Sequence, residues 1–313
     1  MARTVAMSPS ARSPTTLPWQ SLRQGTGTLE DPVQCGNPAC LRRWLSLLKD
    51  RRRPIFEQRW GCSRRCVEAI AFAALRRESG EGEEIEGANA HRHRVPLGLI
   101  LLGQGWITQS QLQRALEMQQ RAGSGRIGRW LTEECGVATD CVTRGLGMQW
   151  GCPVIGIEGF QPEAMVRAAP RLLIETLGMV PLRVVGRRIL YLAFADRMDA
   201  SAAFAMERMS GLKVESGLAN AAELRAARDR LCACDFVDAR YDQVADLESM
   251  AKRMAAAVVK FKPRASRLVR IHEFYWLRMW LEEGSMSSGN GGIPASKEDV
   301  ADRVYELAAQ SGE

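Results

Sequence analysis

The chain has 313 residues, 46% of them hydrophobic and 25% charged, and a net charge of +7. That length holds two or three small domains, and the composition is globular rather than disordered or fibrous. No apolar run approaches the roughly eighteen residues of a membrane span, and Met1 to Gly27 lacks the apolar core of a signal peptide, so a cytoplasmic protein is expected. Nine cysteines, odd in number and clustered, suit metal ligation in a reducing compartment better than a disulfide frame.

Residues 1–30 are rich in Ser, Thr, Pro, Gly and Arg without periodicity and read as a disordered tail. Residues 31–78 contain Cys35-Gly-Asn-Pro-Ala-Cys40 and, twenty-two positions on, Cys62-Ser-Arg-Arg-Cys66. Two such pairs can close a tetrahedral sulfur shell, so Cys35, Cys40, Cys62 and Cys66 are expected to hold a structural Zn2+; four free cysteines are the alternative. The second pair leads into an amphipathic helix from Val67 to Leu75. A knuckle followed by a knuckle on a helix resembles a treble-clef zinc finger, with Trp44, Leu45, Leu48, Phe56 and Trp60 as its small core. The segment from Asp31 to Glu78 carries eleven Lys/Arg against five Asp/Glu, a basic excess open to anionic partners or simply a solvated face. Residues 79–92, rich in Gly and Glu, read as a linker, and His91 and His93 are expected to be solvated.

Residues 93–152 contain one pattern written twice. Pro96-Leu97-Gly98, Leu101, Gly105, Leu112, Leu116 and Gln119 are followed, each thirty positions later, by Arg126-Ile127-Gly128, Leu131, Cys135, Val142, Leu146 and Gln149. Eight matched positions make a duplicated module. Thr108 and Gln111 read as a capping box, and each copy is expected to be a short helix, a turn and a longer helix. Leu101, Leu112 and Leu116 read as core before anything else. Gly98 and Gly128 are expected instead to let the backbone approach something closely, since glycine in a helix costs about 1 kcal/mol against alanine.

Residues 153–232 read as a small α/β subdomain: helices at 162–167 and 170–177, a hairpin of strands around Gly186, a helix from Ser201 to Met209, a strand from Lys213 and a helix from Ala221. Cys232-Ala-Cys234 reads as unliganded. Residues 233–283 read as a helical hairpin, with one helix from Asp246 and another from Pro263 carrying Leu268, Ile271, Tyr275, Trp276, Met279 and Trp280. Residues 284–313 read as a linker and a terminal helix capped by Ser296. The fold class is α+β.

The tandem motif, with Phe160-Gln161-Pro162, Leu182-Arg183, Ala195-Asp196 and Gly211-Leu212-Lys213-Val214, resembles the MshE-type (GspE/PilB) N-terminal domain of type II secretion and type IV pilus assembly ATPases. The resemblance covers roughly residues 93–231. It implies a cyclic-di-GMP-binding sensor or adaptor, with Leu97, Gly98, Leu101, Gln119, Arg126, Ile127, Gly128, Leu131, Gln149 and Asp196 as ligand contacts and a secretion or pilus protein as partner. The chain departs from the family at Pro96, where the motif has Arg, and at Cys135, where it has Gly. No Gly-x4-Gly-Lys-Ser/Thr loop, nucleophile elbow or His-Glu-x2-His pair occurs, so no enzyme is expected. The alternatives are a ligand-free interaction scaffold, or nucleic-acid binding through the basic cysteine-rich segment.

Overall fold

The structure, a computed structural model, describes residues 35–41, 53–80, 94–282 and 291–308. The tail of 1–30, Trp44, Leu45, Leu48, His91, His93 and most of the two linkers lie outside the described residues.

Strands β1 (Ile55–Phe56) and β2 (Arg59–Trp60) pair antiparallel across Glu57 and Gln58, both at positive φ. Left-handed backbone at both turn positions follows the twist of a tight hairpin. Helix α1 (Arg64–Ser79) starts at Ser63, whose side chain accepts from the Cys66 N–H, and ends at Gly80 in the left-handed region.

The repeat folds as its spacing predicts. The first copy gives α2 (Leu97–Gly103) and α3 (Gln109–Ala122); the second gives α4 (Ile127–Cys135) and α5 (Thr139–Trp150). The capping box is present: Thr108 Oγ1 accepts from the Gln111 N–H, and Gln111 Oε1 accepts from the Thr108 N–H. The departure at Cys135 has a local cause. The left-handed residue that ends the short helix is Gly105 in the first copy and Gly136 in the second, so the turn glycine is displaced by one rather than lost. Leu116 points outward and Ala115 is the buried residue of α3.

The smaller α/β part follows as α6 (Pro162–Met165), α7 (Arg171–Leu177), β3 (Val180–Val185), β4 (Ile189–Phe194), α8 (Ala200–Ser210), β5 (Lys213–Leu218) and α9 (Ala221–Cys232). β3 and β4 form the expected antiparallel hairpin, and β5 joins β4 in parallel through α8.

The C-terminal part corrects the helical-hairpin expectation. β6 (Ala239–Val244) and α10 (Leu247–Phe261) are followed by β7 (Ala265–Ile271), β8 (Phe274–Trp280) and β9 (Val300–Leu307), in a sheet of order β6-β9-β8-β7. Only the first of the two helices exists. β8 is buried at every position, so no polar face marks its two-residue alternation, and its continuous apolar run is equally compatible with a buried helix. The chain reverses at His272 and Glu273, with His272 at φ 53°. The terminal helix is likewise a strand: β9 buries Asp302 among its apolar residues, where Asp302 forms an ion pair of 2.7 Å with Arg278, and this inward acid conceals the strand pattern.

β8 alternates between two cores. Phe274, Trp276 and Trp280 pack with the α/β part; Tyr275, Leu277 and Met279 pack beneath α1 and α10 with Met250, Met254, Val258, Ile70 and Leu75. The sheet is thus a shared wall. Most of α1's apolar side belongs to this larger core, as does Phe56, expected inside a zinc finger, whereas Trp60 packs with Cys35 and Cys66 in a small separate cluster, as expected.

Candidate functional site

The two copies exchange partners. α2 packs on α5 and α3 on α4, so the long helix of each copy lies against the short helix of the other. The closing glutamines repeat the exchange: Gln119 Nε2 donates to the Gly125 carbonyl at 2.6 Å, and Gln149 Nε2 donates to the Val95 carbonyl at 2.8 Å. Gly125 precedes the second motif and Val95 precedes the first. Each glutamine therefore ties down the backbone at the start of the other copy, the arrangement of a pseudo-two-fold axis.

The repeated glycines have a packing explanation, contrary to the sequence reading. A Cβ on Gly98 would meet Leu112 Cδ1 at 2.5 Å, and one on Gly128 would meet Val142 Cγ1 at 2.8 Å and Leu97 Cδ2 at 3.5 Å. Leu112 and Val142 are matched positions, so each glycine admits the second helix of its own copy. Leu101 and Leu131 are fully buried between the helices, and Leu97 is nearly so. These three join the helices together. Ile127 is half-buried at the start of α4.

The charged members are on the surface. Arg126, the N-cap of α4, places Nη1 2.8 Å from Oδ2 of Asp196 in the exposed turn after β4. This pair joins the helical module to the α/β part, as does Asn220, whose Nδ2 donates to Asp140 Oδ1 at 2.6 Å. Pro96 caps α2 where Arg126 caps α4. The structure thus brings Arg126 and Asp196 together and seats Gln119 and Gln149 at the two motif starts.

Sequence reasoning missed an aromatic centre beside Gln149. The guanidinium of Arg94 stacks 3.5 Å from the ring centroid of Trp150, and that of Arg197 lies 5.4 Å from the same ring. The one available signal was Arg94 itself, two residues ahead of the position at which the motif lacks its arginine.

The four cysteines converge. The Sγ atoms of Cys35, Cys40, Cys62 and Cys66 all lie within 4.8 Å of one another, with Cys40–Cys62 at 3.4 Å and Cys62–Cys66 at 3.6 Å. Four thiolates about 2.3 Å from one tetrahedral ion would sit roughly 3.8 Å apart, so the cluster fits a metal ion. Backbone and side-chain donors already face the sulfurs: Cys62 N–H points at Cys35 Sγ and Asn37 Nδ2 at Cys66 Sγ, each at 3.5 Å. Partial burial and the neighbouring Cys40 and Cys66 thiols push Cys62 up to about 12. At Cys66 burial opposes ionisation, but hydrogen bonds from Ser63 and Asn37 outweigh it and bring the thiol down to about 7. The hairpin supports the cluster tightly, since a Cβ on Gly61 would meet the Val67 nitrogen at 2.8 Å.

A second buried charge ties α1 to the α/β part. The Glu78 carboxylate, 5% exposed, receives both Nη atoms of Arg208 of α8 at 2.8 and 2.9 Å and Arg77 Nη2 at 2.8 Å.

No protein-family model matches the chain, and no curated protein matches it. Among solved structures, MshE with cdg is similar at 25% identity, covering 44% of this chain and 99% of that chain with a TM-score of 0.35. The N-terminal domain of XpsE is similar in two crystal forms. One gives 20% identity over 43% of this chain and 92% of that chain with a TM-score of 0.31; the other gives 17%, 48%, 98% and 0.26. Over somewhat less than half its length the chain is similar to MshE and to the XpsE N-terminal domain.

Proposed function

We propose that this protein is a non-catalytic cyclic-di-GMP sensor or adaptor acting in the cytoplasm, related to the N-terminal domains of secretion and pilus ATPases. Its tandem module receives the nucleotide, its cysteine cluster holds a structural Zn2+, and its partner is a component of such machinery. The observation that carries the reading is the reciprocal glutamine clasp. A cyclic dinucleotide has two like halves, and a module whose motif starts are related by a pseudo-two-fold axis offers each half a similar environment.

Arg126 supplies a planar cation for a phosphate or a guanine face. Its present partner, Asp196, becomes an acceptor for a guanine edge once the ligand takes its place. Both halves of that exchange occur at the junction between the helical module and the α/β part, so binding there alters how firmly the two are held. Cys35, Cys40, Cys62 and Cys66 would hold the ion through four thiolates, a structural set that would leave no open position for catalysis.

Titration calorimetry on the whole chain tests the reading. Cyclic di-GMP is expected to bind at tens of micromolar or better, and Arg126→Ala to weaken it by about one to two decades, the value of a charge-assisted contact. No heat at those concentrations refutes it. The ligand-free scaffold is the second reading, favoured by Pro96 and by the Arg126–Asp196 pair, which satisfies both side chains on its own. Equal recovery of a secretion or pilus component with and without nucleotide supports that reading.

A further inference from the structure

The pseudo-two-fold correspondence fails at one charged position: Arg126 caps α4, and its counterpart capping α2 is Pro96. A symmetric ligand presents the same anionic and guanine groups to both sides, so a cation is missing from one half-site. The structure holds another arginine beside that gap. Arg94 lies two residues ahead of Pro96, with its guanidinium 3.5 Å from the ring centroid of Trp150.

This stack has no equivalent in the other copy. The positions thirty residues from Arg94 and Trp150 are Ser124 and Gln120. Yet it is attached to the symmetric framework, because Gln149, next to Trp150, donates to the carbonyl of Val95, next to Arg94. Arg197 approaches the same ring, and its neighbour Asp196 pairs with Arg126. The three arginines therefore run around one rim, from Arg126 through Asp196 and Arg197 to Trp150 and Arg94.

One polar atom in this rim is unsatisfied. Arg94 Nη1 is buried and has no hydrogen-bond partner among the described residues. A cationic N–H removed from water and left unpaired is unfavourable, and an acceptor brought by a ligand relieves it. A guanidinium already held over an indole also loses little further freedom on binding.

From these observations we infer that Arg94, held on Trp150 and flanked by Arg197, replaces the missing motif arginine and contacts the second half of the dinucleotide. The acceptor is a phosphate oxygen or the O6/N7 edge of guanine. The inference rests on the cyclic-di-GMP reading above and adds contacts that the repeat does not supply.

The test is calorimetric titration of the full chain with cyclic di-GMP, beside melting curves of the ligand-free proteins. Arg94→Ala is expected to weaken binding about tenfold to a hundredfold. Arg94→Lys, which keeps the charge but loses the planar fork, is expected to weaken it about tenfold, with the ligand-free melting temperature moved by less than about 2 °C. Trp150→Phe, which keeps an aromatic platform, is expected to retain most of the affinity. If the wild type binds and both Arg94 variants bind within about twofold of it, the inference falls and the cyclic-di-GMP reading stands. If the wild type gives no heat, both fall. Should Arg94→Ala fail to fold, the Arg94→Lys result decides.

Discussion

Gly98 and Gly128 occupy matched positions but face different neighbours, and the difference is measurable. The Cβ of Gly98→Ala would press on the far end of Leu112, which can rotate away, whereas that of Gly128→Ala would press on the branched, stiffer Val142. Gly98→Ala is expected to change stability by less than about 1 kcal/mol, because helix propensity offsets the crowding. Gly128→Ala is expected to destabilise by about 1–3 kcal/mol, as overpacking does; thermal melts of the two variants compare them directly. Arg126 gives the opposite case. Its pair with Asp196 is 72% and 52% exposed, so Arg126→Ala is expected to leave stability within about 1 kcal/mol of wild type while weakening any nucleotide binding. The repeat, the capping box and the cysteine spacing are legible in the sequence because each is a local pattern of residue types. The Arg94–Trp150 stack is not, since its two members are far apart in sequence and meet only in the fold, through the packing of α2 on α5 and the Gln149–Val95 hydrogen bond, and the Glu57-Gln58 turn is not, since neither residue is one that favours positive φ.

At the scale of elements, α1 is attached to the rest of the chain by apolar packing on α10 and by one ion cluster. Burial raises the Glu78 carboxyl, but Arg208 and Arg77 outweigh that and hold it below its usual value of 4.5. A depressed folded-state value means that the contribution is complete above the unfolded-state value and disappears as pH falls through the folded one. Stability from this cluster is therefore expected to be constant near neutrality and to decline below about pH 4.5. Glu78→Gln is expected to lower stability by about 1–2 kcal/mol at pH 7, a modest figure because both arginines reach solvent. Denaturant unfolding at pH 7 and pH 3.5 checks both statements, since the difference between variant and wild type should shrink at the lower pH. The strands β7 to β9 show where element type escapes sequence reasoning. Amphipathic α10 displays its period openly, whereas β8 buries both faces and β9 carries a buried acid, so neither keeps the alternation that identifies a strand.

At the scale of the whole molecule, the cysteine-rich segment is not an independent finger. A module of that size would need metal to fold at all, yet α1 shares its core with α10, β7 and β8. Removing metal with a chelator is accordingly expected to loosen the segment around Cys35, Cys40 and the β1–β2 hairpin while leaving α1 helical. Far-UV circular dichroism should change little, and cysteine labelling should rise at Cys62, Cys40 and their neighbours. A complete loss of helical signal would show that the shared core is weaker than its burial indicates. Conversely, a chain lacking residues 1–80 would expose Met250, Met254 and Val258 along α10 and is expected to aggregate, which light scattering would detect.

That shared core joins two ends of the sequence, and the ribosome delivers those ends at different times. Ile70 and Leu75 leave the exit tunnel long before Met250 and Met254, an interval of roughly 10–35 s at ordinary rates of synthesis. The repeat can close meanwhile, because its own core lies wholly upstream; the α/β part stays incomplete, because Trp276, Trp280 and Val304 belong to its core. α1 cannot close either, and for that interval its apolar side is a nascent surface that a chaperone must shelter or a protease will find.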